Sequence, residues 1–314
     1  GKLGDFKAAV AQAENEKASS HLVRIAPAGF FSKMLFRRPI SIALLGFVLT
    51  SPSSGQNLSP FESTPDHLAR YTECMKLARR EPLRALPMAE KWNAEGGGLG
   101  ARHCVAVAMF QAGKYPQAGA QFEAIARDMG QERPGLRAEL WAQAGQAWIE
   151  AGQAEKAAEA QSRALDLKSN DADLWIDRAL SYAAMSLWPR AISDLDQALR
   201  LRPDDVEILV LRAAAWRNAR NPAQAMADVV RALRIAPDHT EALLERGFIN
   251  LARGNRAQAN DDFNRVLRAV PPGSDAARRA QAGLGGEQPA TGAPPAGAGT
   301  PVAPNAPPKS GGKR

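Results

Sequence analysis

The chain has 314 residues, enough for one large domain or two ordinary ones, and a formal net charge of +7. The charge excess lies at the ends, because residues 57–277 carry 28 basic and 29 acidic side chains. A nearly neutral central part disfavours nucleic-acid binding, which requires a basic surface on the fold. We therefore expect no nucleic-acid partner.

Residues 34–55 have the layout of a secretory signal peptide. Arg37 and Arg38 precede the ten-residue apolar run Ile40–Leu49, and small residues up to Gly55 follow it. The run is about half of the ~20 residues that span a bilayer. We expect cleavage after Gly55 and a periplasmic or secreted bacterial protein with no stable membrane span after cleavage.

The assignment of the two flanking segments depends on the signal-peptide interpretation. Residues 1–33 would be an extension upstream of the true start, and residues 56–65, rich in Ser, Pro and Asn, would be a linker. Two alternatives stay open. The apolar run could be a buried element of a folded N-terminal domain, or an uncleaved anchor preceded by a cytoplasmic extension.

The central part repeats itself every 34 residues, as four sets of equivalent positions show: Trp141 and Trp175; Arg178, Arg212 and Arg246; Asp194, Asp228 and Asp262; Pro203, Pro237 and Pro271. This period, with two helical segments per unit, is typical of a stacked helix-turn-helix solenoid.

The unit 138–171 strongly resembles a tetratricopeptide repeat (TPR), on the evidence of Trp141, Ala144, Gly145, Trp148, Gly152, Ala157 and Ala164. The resemblance implies an all-α, right-handed solenoid of about six units that occupies residues 66–273. The units would be 66–98, which is degenerate, 99–137, 138–171, 172–205, 206–239 and 240–273. Residues 274–282 would form a capping helix. Residues 283–314, rich in Pro, Gly and Ala, would be a disordered tail.

Arginine and aspartate occur together in three units, as Arg178 with Asp194, Arg212 with Asp228, and Arg246 with Asp262. Two other units lack both residues, so we expect the arginine to pair with the aspartate across each hairpin. The alternative is an arginine ladder that binds phosphate or carboxylate ligands.

The resemblance places the first helices on a concave face, where an apolar stripe would form a partner groove: Ile176, Leu180, Val210, Ala214, Arg217, Leu244, Phe248 and Leu251. An exposed apolar groove of this kind usually binds a peptide or helix. The alternative is that stacking of neighbouring first helices already buries these residues.

Cys74 and Cys104 lie on the first helices of adjacent units and could form a disulfide in an oxidising compartment, or remain two buried free cysteines. We recognise no catalytic motif, and expect no cofactor and no metal site. The sequence thus predicts a non-catalytic scaffold that binds a protein or peptide, with its oligomeric state open. The alternatives are a regulatory subunit of an envelope enzyme, or a cytoplasmic adaptor if the apolar run is not an export signal.

Overall fold

The computed structural model describes residues 64–131 and 133–287, and this part of the chain consists of α-helices and short connections without a β-strand. The described residues form thirteen helices: α1 Pro65–Arg80, α2 Pro82–Ala94, α3 Gly98–Gln111, α4 Tyr115–Asp128, α5 Pro134–Glu150, α6 Ala154–Leu167, α7 Ala172–Ala184, α8 Trp188–Leu201, α9 Val206–Asn218, α10 Pro222–Ile235, α11 Thr240–Ala252, α12 Arg256–Ala269 and α13 Asp275–Leu284.

Twelve of these helices form six consecutive hairpins, α1–α2 to α11–α12. The second helix of each hairpin packs against the first helix of the next, and α13 packs on both helices of the last hairpin. The expected all-α solenoid is confirmed. None of the described helices is long and apolar enough to cross a membrane.

Helix starts follow from local sequence. The side chains of Asp171 and Asp205 accept hydrogen bonds from backbone N–H groups in the first turns of α7 and α9. Four second helices have proline in their first turn, where no N–H partner is lost: Pro82, Pro116, Pro189 and Pro222.

The hairpin turns require a left-handed backbone at one equivalent position. Gly152 and Gly254 have φ of 71° and 80° there. Ser186 and Arg220 occupy the same position with φ of 58° and 60°, although a β-carbon makes this conformation costly. The left-handed turn conformation therefore occurs at this position of the repeat even in units that lack glycine there.

Small side chains allow the two helices of a hairpin to approach closely. Four alanines at the same position of successive second helices are fully buried: Ala157, Ala191, Ala225 and Ala259. In the last hairpin Phe263 lies between Gly247 and Gly283, and a β-carbon on either glycine would fall within 2.5 Å of its ring. This aromatic ring thereby connects α11, α12 and the capping helix.

Some boundaries differ from those expected. Helix α5 begins at Pro134, four residues before the unit boundary at 138, because proline is well suited to the first turn of a helix. Helix α13 continues to Leu284, past the expected end of the cap at 282 and into the start of the predicted tail. The predicted extension 1–33, the signal peptide 34–55, nearly all of the linker and residues 288–314 lie outside the described residues.

Candidate functional site

The three arginines at equivalent positions each contact the aspartate of their own hairpin with two hydrogen bonds. The N–O distances are 2.8 and 2.9 Å for Arg178, 2.8 and 2.6 Å for Arg212, and 2.8 and 2.6 Å for Arg246. The partners Asp194, Asp228 and Asp262 are buried. Hydrogen bonding to the aspartate raises the pKa of each guanidinium. The structure thus places these arginines across the hairpins rather than on a ligand-facing ladder.

Two of these arginines also contact the preceding hairpin, which the sequence analysis did not anticipate. Arg212 donates to Asp196 on α8 at 2.7 Å, and Arg178 donates to the Ser162 hydroxyl on α6 at 3.0 Å. The equivalent residue for Arg246 is Val230, which cannot accept. Arg178 and Arg212 therefore join neighbouring hairpins as well as closing their own.

The apolar stripe expected to form the partner groove is not an open surface. Six of its members are buried: Ile176, Leu180, Val210, Ala214, Leu244 and Phe248. Leu251 is partly buried against the core. Stacking of the first helices on the adjacent helices covers these side chains, so the self-packed alternative describes the structure.

Arg217 was expected to face a ligand, and instead pairs with a carboxylate of the next unit. Its Nε donates to Glu245 at 2.8 Å, and Glu245 is fully buried. Arg279 of the capping helix lies 3.6 Å from the same carboxylate and donates to Glu241 at 2.8 Å. The two arginines and two glutamates join α9, α11 and α13.

Burial also changes the pKa of Glu241. Desolvation raises the pKa of Glu241, and Arg279 opposes that shift by pairing with the charged carboxylate. The cap is therefore fixed to the last hairpin by a charge pair as well as by its apolar face.

A second polar contact that the sequence analysis missed links three first helices near the N-terminal end. His103 on α3 is buried and lies 2.9 Å from both the Tyr71 hydroxyl on α1 and Gln143 Oε1 on α5. Because the amide oxygen accepts, His103 donates through Nε2 and accepts from Tyr71 through Nδ1. Burial lowers the pKa of His103 to about 4, so the ring is neutral near pH 7.

Cys74 on α1 and Cys104 on α3 form a disulfide, with their Cα atoms 6.2 Å apart. Both side chains are almost completely buried. The bond joins the degenerate first hairpin to the second one beside the His103 contacts. No cluster of three or more His, Cys, Asp or Glu side chains suited to a metal ion occurs among residues 64–131 and 133–287.

One opening in the surface lies on the first hairpin. Its free volume is about 350 Å³, and it contains the Arg70–Glu95 ion pair at 2.8 Å. The Arg70 guanidinium lies 5.5 Å from the centre of the Trp92 ring. These charges already contact one another, but Nε1 of Trp92, which also lines the opening, is buried without a hydrogen-bond partner.

The second opening is a small apolar crevice between the fourth and fifth hairpins. Its free volume is about 20 Å³, and its lining includes Leu180, Ala183, Leu211, Ala214 and Asn218. A small part of the predicted stripe, formed by Leu180 and Ala214, is therefore accessible from this crevice. An apolar space of this size suits a methyl-bearing side chain better than a water molecule, which would find few polar partners there.

No protein-family model matches this sequence, and neither does any curated protein. Several solved structures share its fold. The C-terminal part of a TPR repeat-containing protein from Cytophaga hutchinsonii is 16% identical, covers 68% of this chain and 85% of its own, and superposes with a TM-score of 0.56.

Two further structures match less of the chain. MamA from Desulfovibrio magneticus RS-1 is 16% identical, with 54% of this chain and 93% of its own covered, and a TM-score of 0.48. YrrB, described as a TPR protein with an unusual peptide-binding site, is 20% identical, with 55% and 88% covered and a TM-score of 0.47. Together with the six stacked hairpins, the Cytophaga structure identifies this chain as a protein with the tetratricopeptide-repeat fold.

Proposed function

We propose that the chain is a non-catalytic scaffold that binds another protein or peptide at the apolar crevice between α7 and α9. The observation that carries this proposal is the crevice itself, an accessible apolar space in a stripe that is otherwise closed. A peptide-binding site is described for YrrB, which shares the repeat architecture.

The chemistry of the crevice indicates the kind of contact that a partner would make. Leu180, Ala183 and Ala214 supply apolar walls, and the Asn218 amide lies at the same opening. The Asn218 side chain donates to the Ala214 carbonyl at 2.8 Å. A partner segment with a small apolar side chain would bury that side chain in the crevice.

We also propose that the protein functions in the bacterial envelope after export through residues 34–55. The disulfide between Cys74 and Cys104 supports this location, because structural disulfides persist in oxidising compartments. Fractionation of cells that express the chain tests the proposal, with mass spectrometry of the mature N-terminus and of the cysteines. A cytoplasmic protein with residues 34–55 intact and both thiols free would refute it.

The binding proposal is tested by selecting peptides on the purified full-length chain and measuring their affinity for two variants. Ala183→Leu fills the crevice and should weaken binding at least tenfold. Ala252→Leu adds the same bulk to an exposed alanine of α11 and should leave the affinity unchanged. If Ala183→Leu and Ala252→Leu bound the peptides with equal affinity and melted at unchanged temperatures, the partner site would have to lie outside the crevice.

A further inference from the structure

One row of charges on the second helices has no part in the contacts described so far. Arg200, Arg234 and Arg268 lie in the last turns of α8, α10 and α12 at the 34-residue period, and all three are exposed. No hydrogen bond or ion pair joins any of them to the described residues. They differ in this from the hairpin-closing arginines, whose charges are already paired.

An exposed aliphatic side chain follows two of these arginines directly. Leu201 is 42% exposed and Ile235 is 46% exposed, and both are among the large apolar side chains that the described surface leaves accessible. At the third position the neighbour is the smaller, exposed Ala269. At each of the three positions an exposed arginine is therefore followed in sequence by an exposed apolar side chain.

The acidic side chains nearest along the chain are already engaged. Asp204 accepts from Arg231 and Asp238 accepts from Arg265, both at 2.9 Å. Each of these arginines also donates to the carbonyl of the adjacent proline, Pro203 or Pro237. These pairs neutralise their own charges, so the arginines at the ends of the second helices remain a net positive row.

We propose that Arg200, Arg234 and Arg268 form a second binding surface, which takes an acidic, leucine-containing segment of a partner protein. Carboxylates would pair with the guanidinium groups, which can bind them in bidentate geometry, and apolar side chains would cover Leu201 and Ile235. Three exposed arginines at equivalent positions of successive hairpins match an extended segment with repeated carboxylates. This proposal does not rest on the crevice between α7 and α9.

The test uses an 18-residue fluorescent peptide of repeating Asp-Leu-Ala, which spans up to roughly 60 Å when extended. Anisotropy titrations with the full-length chain should show binding that weakens with added salt. Replacing all three arginines by Gln should lower the affinity at least tenfold. The corresponding Lys variant should retain an intermediate affinity, because it keeps the charge and loses the bidentate geometry. A repeating Lys-Leu-Ala peptide should not bind.

The matched control removes three exposed arginines that also lie at helix ends, through Arg79→Gln, Arg80→Gln and Arg253→Gln. This variant should bind the Asp-Leu-Ala peptide within twofold of the native chain, and so should Ala183→Leu. Circular dichroism verifies that each variant is folded.

Three results would overturn the proposal. One is an absence of peptide binding, and another is an equal loss of affinity in both triple Gln variants. The third is arginine-dependent binding to phosphatidylglycerol vesicles without binding to the peptide, which would assign the row to a membrane surface.

Discussion

Replacing Arg212 by Ala should destabilise the protein by roughly 3 kcal/mol. The change removes three hydrogen bonds between charged groups and leaves Asp228, which is 6% exposed, without its counter-ion. Breaking a buried ion pair costs about 3–5 kcal/mol, and the partial exposure of Arg212 favours the lower end. Asp196 is 40% exposed and can be rehydrated, so it should add little to the cost.

The same chain indicates how the loss can be reduced. In the third hairpin the equivalent positions hold Ala144 and Ala160, both buried, so no ion pair forms at these positions. The double variant Arg212→Ala with Asp228→Ala should therefore lose less stability than Arg212→Ala alone, by about 1–2 kcal/mol.

Urea denaturation of the full-length chain, followed by circular dichroism and tryptophan fluorescence, measures both differences. Agreement between the two probes establishes that one transition is observed. A loss of less than about 0.5 kcal/mol for Arg212→Ala, or a double variant that loses as much as both single variants combined, would refute the pairing as a determinant of stability.

Three further changes test other contacts. Burial lowers the pKa of His103 to about 4 in the folded protein, so the unfolded chain binds more protons than the folded one between pH 4 and 6.5. The free energy of unfolding should therefore fall by roughly 2–3 kcal/mol from pH 7 to 4.5. His103→Gln should remove this part of the fall in urea titrations at the two pH values. Gly247→Ala should cost about 1–3 kcal/mol through overlap with Phe263, whereas Gly135→Ala has open space and should be neutral or stabilising in thermal melts. Arg220→Gly should stabilise the protein by about 1 kcal/mol, because glycine adopts the left-handed backbone of this turn without the strain that a β-carbon causes. An unchanged or lower melting temperature would contradict this expectation.

The fold could be predicted because the sequence repeats its signals at a constant interval. Packing alanines and closing prolines recur every 34 residues, and each has a local physical reason. The pairing of Arg212 with Asp228 was accessible for the same reason, since the two residue types occur or are missing together. The contact with Asp196 was not, because the equivalent position holds Ser162 in one unit and Val230 in another.

The state of the apolar stripe could not be decided from sequence. A stripe that binds a partner and a stripe that a neighbouring helix covers have the same apolar residues at the same helical spacing, as Leu180 and Phe248 illustrate. Only the distance between neighbouring helices distinguishes the two cases. The bond from Arg217 to Glu245 was not predictable because position six of the units holds Gln143, Asp177, Leu211 and Glu245 in turn. When the residues of a contact between two units do not recur in the other units, the sequence carries no periodic signal of that contact.

The central claim is that this solenoid binds a partner at the crevice between the fourth and fifth hairpins. Hydrogen–deuterium exchange of the full-length chain, with and without a selected peptide, tests that claim most directly. We expect slower exchange in α7 and α9, around Ala183 and Ala214, and loss of this protection in Ala183→Leu. Protection confined to other hairpins, or protection that persists in Ala183→Leu, would contradict the account.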